Sequence, residues 1–141
     1  MKTRKGFVSN SSSSSFIVIA DSGGWTEMKI DGQLDLNGSC GENRFGWQEE
    51  TYSDFASKVN WALLQADVYE DDSKEGLRSM IAKVIMEYTG ATNVIFDEDV
   101  KNGYIDHESI GGGNELMFES EVAMKNFLFN TNSCIENNND N

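Results

Sequence analysis

The chain has 141 residues, 38% of them hydrophobic, and 24 Asp and Glu against 11 Lys and Arg give a formal charge of −13. That length suits a single domain, 1–141, with one sizeable core. So acidic a body repels phosphates, which disfavours general nucleic-acid binding. No apolar run approaches the roughly 18 residues that a membrane-spanning helix needs. Cys40 and Cys134 stand far apart, with no CxxC and no histidine spaced as a second ligand. That is the usage of reduced thiols in a cytoplasm.

The first twenty residues form the least ordinary stretch. A basic arm (Lys2, Arg4, Lys5) runs through Gly6-Phe7-Val8 into Ser9, Asn10 and the serines 11–15, then into the apolar run 16–20. Serines interrupt any contiguous signal-peptide core. The run 16–20, closed by Asp21-Ser22-Gly23-Gly24, reads as a buried strand. Ser and Asn side chains compete for nearby backbone groups, so the serines read as a connection and not as part of a ladder. Three uses of that connection stay open. It can be a solvated linker, or a cluster of phosphate acceptors. It can also be an anion-holding loop, in which Lys2, Arg4 and Lys5 converge with Ser9, Asn10, Ser11 and Ser12.

Residues 25–30 alternate Trp25, Glu27 and Lys29 against Thr26, Met28 and Ile30, the pattern of a half-exposed strand. Asp31-Gly32 signals a two-residue hairpin, with 33–36 returning and Leu34 and Leu36 on one face. Phe45 and Trp47 fit either a strand or an aromatic lid. A helix opens near Thr51 or Ser53, either of which can cap it. Phe55, Val59, Ala62, Leu63 and Ala66 lie on one face of it, broadened by Trp61, Leu64 and Val68. Asp72 or Ser73 caps a second helix whose stripe is Leu77, Met80, Ile81, Val84, Ile85 and Tyr88, and Gly90 is placed to stop it.

Residues 93–96 (NVIF) read as a strand that pairs with 104–107 in a hairpin. Gly111-Gly112-Gly113 reads as a mobile or sharply turning loop. Ser120 caps a third helix with Val122, Ala123, Met124, Phe127 and Leu128 inward. Cys134-Ile135-Glu136 is a short last strand before the polar end, 137–141. The sum is α+β: a largely antiparallel sheet with about three helices packed on one face.

Candidate chemistry is sparse. His107 is the only histidine, and it sits between Asp106 and Glu108, carboxylates that would raise its pKa. Along a strand, however, Asp106 and Glu108 point to the face opposite His107. Asp97-Glu98-Asp99 collects oxygen ligands but lacks the ordered spacing of an EF-hand. The glycine triplet has no following Gly-Lys-Ser/Thr and no dinucleotide-binding spacing. No catalytic set, metal site or cofactor is expected.

The opening residues Lys2-Thr3-Arg4-Lys5-Gly6-Phe7-Val8-Ser9-Asn10, followed by five serines and Phe16, resemble the start of a group of small bacteriophage and bacterial proteins that begin with GFVSNSSSSSF. The resemblance covers about the first eighteen residues. It implies a phage-type origin and carries no activity or binding residue across. Together with charge and size it sets the expected function: an accessory protein acting in the host cytoplasm by binding, most simply as an acidic inhibitor or modulator of a host protein with a basic surface. Two alternatives are a capture module for a phosphorylated small molecule through the serine-rich loop, and a virion or assembly component.

Overall fold

A computed structural model of the chain describes residues 13–36, 44–45, 50–69, 72–96, 104–105 and 109–139. They form a mixed α+β fold. Strand β1 (Ser13–Val18) pairs antiparallel with β7 (Cys134–Asn139), Ser13 opposite Asn139 and Val18 opposite Cys134. β4 (Glu50–Tyr52) pairs antiparallel along the other side of β7, giving the order β1-β7-β4. The two ends of the described chain are therefore neighbours in one sheet.

This pairing corrects two expectations. Ser13, Ser14 and Ser15 belong to the ladder, and so do Asn137, Asn138 and Asn139. The side-chain competition that favours turns is answered here across the strands, because the Ser15 hydroxyl donates to Asn137 Oδ1. Ser15 is fully buried. The apolar residues that follow are less so: Phe16 and Ile17 are half-buried and Val18 is 39% exposed. β1 is an outer strand of its sheet, and within it Ser15 is more deeply buried than Phe16, Ile17 and Val18.

Helix α1 (Phe55–Asp67) is capped by Asp54, whose Oδ2 accepts from the Ser57 N–H at 2.9 Å. Thr51 lies in β4, so the cap falls later than expected. Every residue from Ser57 to Ala66 is buried. The expected apolar face has become the whole circumference, as in a helix enclosed by its own domain. Lys58, Asn60 and Gln65 are buried with it.

Helix α2 (Asp72–Thr89) buries Ile81, Val84 and Ile85, with Leu77, Met80 and Tyr88 half-covered. It stops at Gly90, which takes φ +86° and donates its N–H to Met86 O at 2.9 Å. A 3₁₀ segment (Gly112–Glu119), kinked at Glu115, begins inside the glycine triplet, so the expected loop is cut short and the sharp turn falls at Gly111, which takes φ +80°. Helix α3 (Glu121–Phe129) is capped as expected by Ser120, whose Oγ accepts from the Ala123 N–H at 3.0 Å. Met124, Phe127, Leu128 and Phe129 point inward, whereas Val122, expected inward, is 68% exposed. The core joins α1, α2 and α3 through Trp61, Leu63, Ile81, Ile85, Phe127 and Leu128. Among the described residues no helix is long and apolar enough to cross a membrane.

Neither expected hairpin forms. β2 (Gln33–Asp35) pairs in parallel with β5 (Asn93–Ile95), and β3 (Arg44–Phe45) in parallel with β6 (Tyr104–Ile105). Residues 25–30 are spoken for elsewhere. Thr26 N–H donates to Phe129 O at 2.7 Å, and Ile30 N–H to Thr89 O at 2.9 Å. These are terminal carbonyls of α3 and α2, which have no acceptor role left inside their helices. The alternating segment thus serves as a tie across two helix ends. Trp25 adds one bridge, to Asn130.

The turn that starts this tie is tightly packed. Asn130 Nδ2 donates to Ala20 O and Ser22 O, and Asn132 Nδ2 to Ser22 O. Gly23 takes φ +115°, and a Cβ there would lie 2.0 Å from Asn132 Nδ2. Gly23→Ala must both strain the backbone and evict Asn132. We expect it to lower the unfolding free energy by about 1–3 kcal/mol in urea titrations, whereas an unchanged midpoint would show that the turn is not tight.

Candidate functional site

Lys2, Arg4, Lys5, Ser9, Asn10, Ser11 and Ser12 lie outside the described residues, as do Asp106, His107 and Glu108. What the structure does show is where the two stretches containing them are anchored. The serine run ends, and the Asp106-His107-Glu108-Ser109 stretch ends, at the same place. Ser15 N–H donates to Ser109 Oγ at 2.7 Å.

Around that bond lies a buried polar seam. Asn114 Nδ2 donates to Ser15 O and to Ser109 O, both at 3.0 Å. Gln65 of α1 clasps the same loop from below: its Nε2 donates to Ser109 O at 2.8 Å and its Oε1 accepts from Gly111 N–H at 2.9 Å. Trp61 Nε1 donates to Asn114 O at 3.0 Å. Each of these polar groups is desolvated and answered, which is the condition for such a network to add stability. None of Ser15, Gln65, Ser109 and Asn114 titrates near neutrality, so the seam positions the chain and transfers no protons.

A second buried polar group is Lys58, fully enclosed in α1 with its Nζ donating to Asn130 O at 3.0 Å. Burial pushes its amine down to about 8, opposed by the nearby Cys134 and Asp54. The Cys134 thiol, 3.8 Å from Glu136 Oε2, is pushed up by burial and then by that carboxylate. A raised thiol is a poor nucleophile, and an enclosed amine has no path to a substrate. Lys58 ties α1 to the end of α3.

The exposed face that differs from its surroundings lies between α2 and α3. Val84, Glu87 and Tyr88 face Glu121, Val122 and Lys125 across an open cleft of about 310 Å³. Tyr88 is held firmly: its ring stacks on Phe129 at 4.0 Å, and its hydroxyl donates to Thr26 O at 2.6 Å. Trp25, 40% exposed, lies 6.3 Å from Tyr88 with the rings tilted by 35°. Lys125 Nζ sits over both, 5.1 Å from the Trp25 centroid and 5.8 Å from that of Tyr88. Lys83 pairs with Glu121 at 2.7 Å, and its pKa is raised by Glu121 and, more weakly, by Glu87. A neighbouring cleft, lined by Lys29, Ile30 and Asp31, shares Glu87 and Tyr88.

Sequence reasoning missed all three features: the seam, the buried lysine and the aromatic platform. Trp25 read as a strand residue, and the only signal that set it apart was a large aromatic ring in a segment with few apolar neighbours. Among the described residues no group of three or more His, Cys, Asp and Glu side chains is placed to hold a metal ion. No protein-family model, curated protein or solved structure matches the chain.

Lys58 makes stability depend on pH in a definite direction. With a folded-state pKa of about 8 against 10.5 for the ordinary lysine, the unfolded chain binds more protons between those values. Stability therefore rises with pH across that window, and below about 8 the penalty of burying the charge is fully present. The difference in unfolding free energy between the parent protein and Lys58→Met should grow in favour of the parent from pH 8 to 10.5. A flat difference in denaturant titrations would mean that Lys58 is not desolvated.

Proposed function

We propose that the protein works by contact: it is a phage-type accessory protein whose acidic body binds a basic surface on a host protein and inhibits or modulates it. The observation that carries this reading is the charge imbalance. Outside the first five residues, 8 Lys and Arg stand against 24 Asp and Glu, a net of −16. Such a field attracts a positively charged surface and speeds encounter with it.

The described surface is consistent with that role. Glu27, Asp31, Asp35, Glu75, Glu87 and Glu119 are exposed, against exposed Lys29, Lys83 and Lys125. Of these cations Lys83 is already engaged by Glu121. Among the described residues the buried cation is Lys58, which is turned inward and contributes nothing to contact. The polar seam has its hydrogen bonds committed internally, which favours a rigid surface over a reaction centre.

The test is affinity capture from host lysate on the immobilised full chain at about 0.1 M salt, where surface charges act over roughly 10 Å. A bound protein should be released at about 0.5 M salt, and it should not bind when Asp35, Glu75 and Glu119 are changed to Lys. Capture of nothing, or of a protein indifferent to both changes, would overturn the reading.

A further inference from the structure

The cleft between α2 and α3 combines three properties that belong together in the recognition of a cation. Its floor is a fixed aromatic platform, since Tyr88 is stacked on Phe129 and tethered to Thr26 O. Its walls carry the carboxylates of Glu87 and Glu121. And the ring faces already hold a positive charge, the ammonium of Lys125, within the 6 Å over which a ring quadrupole attracts a cation.

Lys125 is a replaceable occupant. It is exposed, and among the described residues no carboxylate pairs with it within 4.0 Å; its contacts are the two rings. Glu87 is exposed beside them, and Trp25 and Val122 leave apolar surface open at 40% and 68% exposure. A guanidinium suits this place better than an ammonium. It is planar, so it stacks on an indole. It is weakly hydrated, and its forked donors match a carboxylate such as Glu87.

We propose that the partner's anchor is an arginine side chain that enters this cleft, stacks on Trp25 and Tyr88 in place of Lys125, and pairs with Glu87. The proposal rests on the basic-partner reading above and adds to it a definite place and a definite side chain. Lys125 then acts as an internal competitor that keeps the platform covered until the arginine arrives.

The test is an NMR titration of the full-length ¹⁵N-labelled protein with capped hexa-arginine and hexa-lysine peptides as probes. The Trp25 indole N–H and the amides of 84–88 and 122–125 should shift saturably, with the arginine peptide bound more tightly. Trp25→Ala, at an exposed position, should weaken binding by about five- to tenfold. Lys125→Gln should strengthen it by more than Lys74→Gln does, although both remove one positive charge. Lys74, in the first turn of α2, pairs with Asp67 at the end of α1 and does not line the cleft, so it controls for charge alone. Shifts elsewhere on the acidic surface with Trp25 unmoved, or equal effects of the two lysine changes, would overturn the cleft assignment and leave the basic-partner reading standing. No binding of either peptide would overturn both.

Discussion

A glutamine with nowhere to go sets much of this structure. Gln65 sits on a helix buried along ten successive residues, so neither end of its amide can reach water. Leaving such a group unanswered would cost about 1–3 kcal/mol. It is answered by the backbone of Ser109 and Gly111. Once that loop is held against α1, the Ser109 hydroxyl and the Asn114 amide are aimed at Ser15. The outer edge of β1 is thereby covered at Ser15 by side chains instead of by another strand. An open edge invites pairing with other chains, and a polar cap of this kind suppresses it.

The same logic runs through the other end of the sheet. Ser133 Oγ accepts from Ala20 N–H and donates to Asn126 O, while Asn130 holds Ala20 O and Ser22 O. Small polar side chains thus bracket β1 at both ends, and β7 completes it along its length. Here Ser133 and Asn130 act as short connectors between backbone segments, whereas Ser15 and Asn137 join side chains within the β1–β7 ladder itself. The aromatic chain Phe55–Phe129–Tyr88 then carries rigidity from the buried side of α1 to the exposed platform between α2 and α3.

Helices were legible because their signals are local. The stripe of α2 with Gly90 after it, and Ser120 before α3, specify start, face and stop without reference to anything distant. Strand partners were not legible. Asp31-Gly32 is a strong hairpin signal, yet Thr26 and Ile30 satisfy their N–H groups on helix ends that no local pattern reveals. The serines read as a connection because their intrinsic preference is for turns, and their actual partners, Asn137, Asn138 and Asn139, lie at the far end of the chain. Lys58, Asn60 and Gln65 are buried with the rest of α1, and the groups that answer Lys58 and Gln65 (Asn130, Ser109 and Gly111) lie far off in the sequence, where no local pattern reveals them. The platform escaped for the same reason, since Trp25 and Lys125 meet only after α3 has docked.

A protein built this way exposes carboxylates such as Glu27, Asp31, Glu75 and Glu119 and closes its polar seam inward. Its account depends on the serine strand being part of the cooperative fold. Native-state hydrogen exchange at the Ser15 amide tests that most directly, because this N–H has a side-chain acceptor, Ser109 Oγ, and not a ladder carbonyl. The account predicts that it exchanges as slowly as the central amides of α1, through global unfolding alone. Exchange at the rate of an unstructured serine peptide, with α1 still protected, would contradict it.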